Sequence, residues 1–391
     1  MTFRPALNLK FLILVFLYSI PLFGLLDYLI SIEFLDGIPT RSRMHNPYRN
    51  LIVIKDLLGL LLFITFAMIV KREARVSRYG FFSFILLAIF IASSRDFYML
   101  VAGVRQIVPF VFIFAAILIY RNSRYFDFPE AVLNSLKIVL IIEFLMGLSQ
   151  IILMPGFEGR SIIGVRIYGS FTNPNTIGAF GAMILLAFVV LKEHCKYKIN
   201  LYYYSMAIFL VIASGSRSAI GIGMVVLLDH FIIKGKKHRL MNYFFGVTLI
   251  IISLLFINEI AAKPEGIGLF GARYDNLVSL IKNSSDLDLF LGNGWGAGSS
   301  WHRVLSGNQS SIPPLDSMFG SLLYQVGVLG LLFFYLWLIY TLKMIRTYGI
   351  FLFVFTVLSL QINFLEYYPV INILFLIVGI LIGKNQIEKD A

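Results

Sequence analysis

Long apolar stretches alternate with short polar segments over almost the whole chain. A membrane-spanning helix needs roughly 20 mostly apolar residues, with a range of about 17–25. By that measure the pattern predicts about twelve spans. They lie near residues 11–30, 51–70, 80–94, 99–120, 131–153, 175–191, 200–213, 217–233, 240–258, 317–341, 347–365 and 368–383. The predicted fold is an all-α polytopic membrane protein in which residues 1–391 form a single integral membrane domain.

Lysine and arginine in the short connections predict sidedness, because cytoplasmic loops carry more positive charge. Every second connection is basic, as at residues 71–78, 192–198 and 234–239. With about twelve spans, these connections and both termini fall on one side, which we predict to be cytoplasmic. The longest outer segment, residues 259–316 between the ninth and tenth spans, is not low-complexity. Such long loops are often functional, so we expect an ordered periplasmic cap there.

Composition agrees with this fold class and excludes a soluble globular protein or a disordered chain. Of the 391 residues, 59% are hydrophobic and only 14% are charged, whereas an average soluble domain is about 25% charged. The one cysteine, Cys195, cannot form an intrachain disulfide, and no Cys/His cluster has the spacing of a metal site. We therefore expect neither a metal nor another cofactor, and we attribute the net charge of +12 to basic loops and not to nucleic-acid binding.

The 33 lysines and arginines divide unequally between the predicted sides. The cytoplasmic side carries 11 Lys and 8 Arg, the outer side with its membrane ends carries 3 Lys and 10 Arg, and Lys137 lies mid-span. The positive-inside rule explains the first set and predicts few cations in the second. An arginine fork holds a phosphate or carboxylate through two parallel hydrogen bonds. We therefore predict an outer anion site and assign Arg49 and Arg105 to it, although individual arginines could pair with outer acids such as Asp96.

The first of four candidate motifs occupies residues 166–178 and contains Asn-Pro-Asn. Asn-Pro-Asn flanked by glycine is typical of a turn, here one that leads into the sixth span. Asn175 or Thr176 could cap that helix, and a helix N-terminus favours anions. A plain turn and cap is the alternative interpretation. We assign Arg166, Asn173 and Asn175 to substrate binding.

The second motif, Ser214-Gly215-Ser216-Arg217, places an arginine at the predicted outer start of the eighth span. An arginine at a membrane boundary is a functional candidate by default. The alternative is an interfacial arginine whose stem follows apolar surface while its head reaches water. We take Arg217 as a functional residue and Ser216 as a substrate-binding residue.

The third motif begins with Arg273, on an amphipathic stretch of the outer loop, and continues into a glycine-rich run at residues 292–298. Glycine permits a close approach of the backbone to a ligand, so Gly294 and Gly296 are assigned to substrate binding. The run does not match the G-x-x-x-x-G-K-[ST] pattern of a phosphate loop. Taken alone, this motif is a weak indication of function.

The fourth motif is the polar pair Asp316-Ser317 at the outer start of the tenth span, followed by Gly327 and Gly330. Asp316 is either the N-cap of that helix or an acid/base group above the membrane surface. Both interpretations stay open at this point.

In order and topology, the four motifs resemble the O-antigen polymerase (Wzy) and O-antigen ligase (WaaL) family over roughly residues 160–335. The matching patterns are R-x-x-G-x-x-x-N-P-N from Arg166, S-x-S-R ending at Arg217, Arg273 ahead of G-x-G-W-G, and a polar pair before a span with G-x-x-G. The resemblance implies an inverting, metal-independent glycosyltransferase at the periplasmic face of the bacterial inner membrane. Its donor would be an oligosaccharide on undecaprenyl pyrophosphate, and Arg217 and Arg273 would be catalytic by stabilising the pyrophosphate leaving group.

One difference separates the two branches of this family. The ligases typically carry a histidine in an H-N-like pair at the start of the late span, where this chain has Asp316-Ser317, and His302 lies 14 residues earlier. The resemblance therefore favours a polymerase whose acceptor is a second lipid-linked repeat unit. Asp316 would be the catalytic base on the acceptor hydroxyl, with Ser317 and His302 in contact with substrate. Glu366, Asp275 and His302 remain alternative bases.

Two other functions stay open. One is a ligase that transfers polysaccharide to lipid A core, and the other is a transporter or flippase of lipid-linked sugars. Transporters place charged sites near the midplane, often on broken helices. Four charged residues lie within predicted spans: Lys55, Asp56, Lys137 and Glu143. The expected partners are the undecaprenyl-pyrophosphate-linked oligosaccharide as donor and acceptor, membrane lipid, and a Wzz-type chain-length co-polymerase, with no nucleic acid.

Overall fold

The computed structural model describes residues 5–34, 58–59, 61–66, 92–122, 127–153, 166–171, 174–230, 281–282, 284–299, 302, 317–345, 348–361 and 369–390. These residues are mostly helical and contain no β-strand. The helices are α1 (Pro5–Phe34), α2 (Phe97–Asn122), α3 (Phe128–Leu153), α4 (Pro174–Cys195), α5 (Leu201–Ala213), α6 (Arg217–Leu228), α7 (Asp286–Leu291), α8 (Met318–Leu342), α9 (Tyr348–Gln361) and α10 (Val370–Asp390).

Five stretches of helix in the described part of the chain are long and apolar enough to cross a membrane. They are Phe97–Tyr120, Phe128–Ile152, Pro174–Cys195, Met318–Leu342 and Val370–Ile387. Shorter apolar stretches occupy Leu7–Leu22, Leu201–Ala213 and Arg217–Leu228. The prediction of an all-helical membrane protein is confirmed at this level. The number of about twelve spans and their sidedness stay predictions.

Several predicted elements lie wholly or largely outside the described residues. The ninth span, residues 240–258, is wholly outside, and only residues 92–94 of the third span are described. The second span is described at residues 58–59 and 61–66, which are helical. Of the predicted cap, residues 259–316, the structure describes residues 281–282, 284–299 and 302.

The chain divides into two compact units. Unit 1 consists of Met1–Arg72, Val111–His230 and Asn372–Ala391, and unit 2 consists of Glu73–Phe110 and Phe231–Ile371. Each unit is therefore built from segments that are distant from one another in the chain.

In unit 1, α4 lies at the centre. Every residue from Ile177 to Leu191 is buried, and α3, α5 and α6 all pack against this helix. An apolar side chain at every position suits a helix that is surrounded by other helices, since none of its faces needs to be polar. α1 packs against α3.

Polar contacts tie together the end of unit 1 at which α3 begins. Asp127 accepts hydrogen bonds from the N–H of Glu130, at 3.3 Å, and from the hydroxyl of Tyr197. Burial and the neighbouring Asp127 carboxylate raise the pKa of the Tyr197 hydroxyl, so it stays a neutral donor. His230 Nδ1 lies 3.1 Å from Glu193 Oε1 and links the residues after α6 to α4.

In unit 2, α8 packs against α7 and α9. Phe334 of α8 is fully buried, with ring centroids 6.1 Å from Phe110, 5.9 Å from Trp337 and 6.2 Å from Phe355. α8 is broken at Gly327, where φ is 66° and ψ is −174°, a conformation open to glycine and strained for other residues.

Candidate functional site

A non-helical strap, residues 166–171, lies between α3 and α4 in unit 1. Its backbone makes two hydrogen bonds to carbonyl groups. The N–H of Ile167 donates to Ala213 at 3.1 Å, and the N–H of Phe171 donates to Tyr168 at 2.9 Å. Non-helical backbone among membrane-spanning helices needs such internal partners, because hydrocarbon offers no acceptor.

The strap's other N–H groups donate to two polar side chains of α3. Gln150 Oε1 accepts from Tyr168 and Gly169, each at 2.9 Å, while Gln150 Nε2 donates to the Gly169 carbonyl at 2.8 Å. Glu143 Oε2 accepts the N–H of Ser170 at 2.9 Å, and Glu143 Oε1 accepts the Ser170 hydroxyl. Every N–H of the strap beyond its first residue therefore has an acceptor within unit 1.

Arg166, the first residue of the strap, connects two sequence motifs. Its Nε donates to the Ser214 carbonyl at 2.8 Å, and its Nη2 donates to Asn175 Oδ1 at 2.9 Å. Because α4 begins at Pro174, neither Asn175 nor Thr176 is its N-cap, and that prediction is wrong. The Asn175 side chain instead fixes the arginine.

The second motif forms a tight turn between α5 and α6. The N–H of Ser216 donates to Ser214 Oγ at 3.1 Å. Gly215 has a φ of 62°, a left-handed conformation that glycine adopts without strain. Ser216 is the N-cap of α6, and Arg217 is its first residue. The sequence prediction that Arg217 begins a helix is confirmed.

The N-terminus of α6 is suited to an anion. The Ser216 side chain makes no cap hydrogen bond to the helix, so it leaves the first-turn N–H groups to other acceptors. Those N–H groups and the positive end of the helix dipole favour negative charge. Among the residues that the structure describes, the Arg217 guanidinium makes no hydrogen bond or ion pair. Arg217 therefore adds a positive charge at an end of α6 that already attracts anions.

Gly178 of α4 packs directly against this turn. A Cβ at position 178 would overlap Ser214 Oγ and lie 2.9 Å from Ser216 Cβ. We expect Gly178→Ala to push α4 away from the turn and lower stability by about 1–3 kcal/mol, measured as a lower melting temperature of the purified protein. Gly221→Ala on α6 is the control, because in the described part of the chain nothing beyond the helix's own backbone lies within 4 Å of the added Cβ. Equal melting temperatures for the two variants would contradict this packing argument.

In unit 2, the glycine-rich run forms a compact turn, residues 292–299, directly after α7. Trp295 is fully buried, and its indole Nε1 donates to the Gly103 carbonyl of α2 at 2.8 Å. Its backbone N–H donates to Ser93 Oγ at 3.1 Å, and its carbonyl accepts from the Ser94 hydroxyl at 2.9 Å. Trp295 therefore anchors the turn to the first part of α2 and the residues before it.

The same turn supplies hydrogen bonds to α8 at its break. A helix that is interrupted leaves carbonyl groups without their usual donors. The N–H groups of Asn293 and Gly294 donate to the carbonyls of Tyr324 and Gln325, each at 2.9 Å. The N–H of Gly296 donates to Gln325 Oε1 at 3.0 Å. The turn and the broken helix thus complete each other's hydrogen bonding.

Packing alone is a sufficient reason for glycine at the two predicted substrate-binding positions of this turn. A Cβ on Gly294 would lie 2.7 Å from the Ser93 carbonyl oxygen, and one on Gly296 would overlap the Met99 carbonyl oxygen. The N–H groups of both glycines already donate within unit 2. Their contact with substrate stays a prediction.

His302 is buried beside the same turn. Its Nδ1 lies 3.4 Å from the N–H nitrogen of Gly298, and its Nε2 lies 3.6 Å from Asp96 Oδ2. Asp96 also accepts the N–H of Met99 at 2.7 Å, near the start of α2. The contact between Asp96 and His302 joins two segments far apart in the chain, and no pattern in the sequence connects them.

Ser317 is the N-cap of α8, and its Oγ accepts the N–H of Gly320 at 3.1 Å. The N-cap of α8 is therefore Ser317 and not Asp316, so the interpretation of Asp316 as the N-cap is wrong. Arg105, also predicted to bind substrate, is a partly buried residue of α2.

The structure brings together Arg166, Asn175 and Ser214 in unit 1, with Ser216 and Arg217 directly following. Gly294, Gly296, His302 and Ser317 belong to unit 2. The predicted site residues Arg49, Asn173, Arg273 and Asp316 lie outside the described residues. Within the described part of the chain, no three His, Cys, Asp or Glu side chains are grouped so that they could hold a metal ion.

Sequence reasoning missed the role of α3. It identified Glu143 only as an intramembrane charge and did not use Gln150. The two residues are seven positions apart, which places them on the same helix face two turns from each other. A carboxylate and a carboxamide at that spacing in an apolar span would have been the signal.

Comparison with known proteins gave no relatives: no family model, no curated protein and no solved structure matches this chain.

Proposed function

We propose that the protein polymerises oligosaccharide repeat units linked to undecaprenyl pyrophosphate, for O-antigen or a related surface polysaccharide. The observation that carries this proposal is the network of Arg166. Its guanidinium donates to Asn175 and to the Ser214 carbonyl, and so joins the first motif to the second motif, which ends at Arg217. The resemblance to the O-antigen polymerase and ligase family rests on the order of the four motifs, and the direct contact between the first two supports treating them as one site.

The proposed reaction needs groups that stabilise negative charge on a departing pyrophosphate. The bond between the donor's anomeric carbon and the phosphate oxygen breaks, while an acceptor hydroxyl attacks that carbon from the opposite face and inverts its configuration. Arg217, and Arg273 by the resemblance, stabilise the charge that develops on the pyrophosphate. Asp316 accepts the proton of the attacking hydroxyl. The scheme uses no metal ion and no other cofactor.

The lengths of α5 and α6 support a site near a lipid headgroup. The helices have 13 and 12 residues, which correspond to about 20 and 18 Å, against about 30 Å for the hydrocarbon core of a bilayer. The turn that joins them packs against Gly178, the fifth residue of α4. Because α4 is long enough to cross the membrane, a turn beside its first helical turns fits the depth at which a lipid diphosphate lies.

The number of spans, their sidedness and the cellular location are part of the same proposal. We propose about twelve spans, both termini in the cytoplasm, and residues 259–316 as a periplasmic cap of one membrane domain. The protein would then reside in the bacterial inner membrane with its active site facing the periplasm. Donor and acceptor would both be undecaprenyl-pyrophosphate-linked oligosaccharides, and a Wzz-type co-polymerase would set chain length.

A transporter of lipid-linked sugars is the second candidate, and the break in α8 at Gly327 favours it, since transporters often use broken helices. The charged residues within predicted spans support a transporter less than this break does. Lys137 donates to Asn134 Oδ1 at 3.2 Å and lies 5.4 Å from the Tyr203 ring, and Glu143 is hydrogen-bonded to the strap. Lys137 and Glu143 therefore have local structural partners, while Lys55 and Asp56 lie outside the described residues.

Deletion of the gene tests the polymerase proposal in cells. We expect the surface lipid to carry a single repeat unit, because transfer to lipid A core continues while polymerisation stops. The measurement is electrophoresis and mass spectrometry of the surface polysaccharide, with the restored wild-type gene as the control. Complete loss of attached sugar would instead indicate a ligase or a flippase.

Purified protein separates the remaining possibilities. In detergent, with undecaprenyl-pyrophosphate repeat units alone, a polymerase lengthens the saccharide, whereas a flippase leaves it unchanged because there is no bilayer to cross. A ligase extends nothing until lipid A core is added.

A further inference from the structure

Glu143 and Gln150 have no part in the proposed reaction, yet both side chains are buried within a mostly apolar helix, Glu143 being 0% exposed and Gln150 1% exposed. A carboxylate inside a membrane-spanning helix is costly and usually has a function. The default function of such a group is to carry a proton or an ion, or to bind a ligand. The contacts of these two side chains indicate another role.

The strap lies directly against the Glu143 carboxylate. A Cβ on Gly169 would overlap Glu143 Oε2 and Ile177 Cδ1, so only a glycine backbone fits there. Gly169 has a φ of 56°, which also favours glycine. Both carboxylate oxygens accept hydrogen bonds from Ser170. The strap thus covers the Glu143 carboxylate on the side of Gly169 and Ser170.

The strap in turn determines where Arg166 lies. Gln150 accepts the backbone N–H groups of Tyr168 and Gly169, and Glu143 accepts that of Ser170. Arg166 precedes these held residues, and its guanidinium extends to α4 and to the α5–α6 turn. Without the two acceptors on α3, three backbone N–H groups among apolar helices would lose their partners.

We propose that Glu143 and Gln150 are positioning residues, which hold the strap so that Arg166 stays fixed between α4 and the α5–α6 turn. The consequence for an anionic lipid at Arg217 rests on the proposed function, whereas the holding of the strap does not. Glu143 acts here as a hydrogen-bond acceptor, and its ability to exchange a proton is not used.

Two substitutions separate this role from that of a proton or ion carrier. In Glu143→Gln, the amide oxygen still accepts the Ser170 N–H, and the amide nitrogen donates to a reoriented Ser170 hydroxyl. Glu143→Met keeps the approximate volume but removes both acceptors. A positioning role predicts that only the methionine variant is defective. A carrier role predicts equal loss in both, because neither side chain exchanges a proton.

The first measurement is steady-state polymerisation by the full-length protein. For Glu143→Met and Gln150→Met we expect kcat/KM to fall on the order of 10- to 100-fold, mainly through a higher KM for the lipid-linked donor. Glu143→Gln should stay within about threefold of wild type. Glu130→Met is the matched control, because Glu130 is an exposed residue in the first turn of the same helix. Loss of activity in Glu143→Gln as large as in Glu143→Met would overturn the positioning role.

The second measurement does not depend on the reaction. The single native cysteine is replaced by Cys195→Ser, and Tyr168→Cys places a thiol on the strap, where the residue is partly buried. We expect maleimide labelling of this thiol to be about tenfold faster with Glu143→Met and unchanged with Glu143→Gln, since strap opening limits access. Unchanged labelling with Glu143→Met would refute the proposal, whatever the protein polymerises.

A milder variant covers the case in which Glu143→Met does not fold. Ser170→Ala removes only the hydroxyl donor and leaves the Ser170 N–H on Glu143. We expect labelling of the Tyr168→Cys thiol in Ser170→Ala to be faster than in wild type and slower than in Gln150→Met. A wild-type labelling rate in both Ser170→Ala and Gln150→Met would again refute the proposal. If wild-type protein polymerises nothing while labelling follows this order, the proposed function fails and the positioning role stands.

Discussion

Arg217→Lys is expected to lower polymer formation by at least about 100-fold, although the substitution keeps the positive charge. Arginine offers a planar fork that holds two phosphate oxygens at once, whereas the lysine ammonium is a single, strongly hydrated point charge. Arg217 begins α6 at an N-terminus without a side-chain cap, so the fork and the helix N–H groups would act on the same anion. The measurements are polysaccharide length in a strain carrying only the variant gene and kcat/KM of the purified protein.

Arg95→Lys is the control for this experiment. Arg95 is exposed, lies 3.5 Å from Asp288 Oδ1, and donates to the Gly292 carbonyl at 3.0 Å. An exposed ion pair contributes about 0–1 kcal/mol, so activity should stay within about threefold of wild type. Full-length polysaccharide from Arg217→Lys would refute the proposed role of Arg217 in stabilising the pyrophosphate. An equal loss in both variants would point to a general need for outer arginines.

The partners of Arg95 and Arg166 clarify the excess of arginine that the sequence predicts on the outer side. The possibility that individual arginines pair with acids holds for Arg95, whose partner is Asp288. Arg166 differs, because the hydrogen bonds to Asn175 and the Ser214 carbonyl go to neutral oxygens. Such bonds fix the position of a guanidinium. The sequence counts both residues alike, and only the structure shows that these two arginines are held by different kinds of partner.

Hydropathy predicted the long helices well. The predicted spans at 131–153, 175–191 and 317–341 correspond to Phe128–Leu153, Pro174–Cys195 and Met318–Leu342. The physical reason is that an apolar stretch of this length must satisfy its own N–H groups when it lies in hydrocarbon, and a helix does so without any other segment. Local sequence therefore determines these elements.

The strap and the break in α8 could not be predicted in this way. The strap's N–H groups depend on Gln150 and Glu143, and the carbonyls at the break depend on Asn293 and Gly294, about 30 residues away in the chain. The sequence also cannot tell a glycine that approaches a ligand from one that packs against backbone. Both kinds of information come from partners distant in the chain, and no local pattern contains them.

Trp295→Ala is expected to be strongly destabilising, lowering the free energy of unfolding by about 3–5 kcal/mol. The side chain is fully buried, its indole donates to the Gly103 carbonyl at 2.8 Å, and its backbone binds Ser93. Removing the ring leaves a cavity between the turn and α2 and takes away the indole donor of the Gly103 carbonyl. The measurement is the melting temperature of the purified protein in detergent, and Phe290→Ala, at an aromatic that is 54% exposed, should change it little.

Gly103, which lies against the Trp295 indole, provides a second test of this contact. A Cβ on Gly103 would overlap Trp295 Cδ1, so Gly103→Ala alone should destabilise by forcing the indole out of place, at about 1–3 kcal/mol. Combined with Trp295→Ala, the same methyl group enters space that the ring has vacated. The two losses should therefore be non-additive, with the double variant more stable than the sum predicts. Additive losses would mean that the indole and Gly103 are not in direct contact, and the anchoring of the glycine turn to α2 would need another explanation.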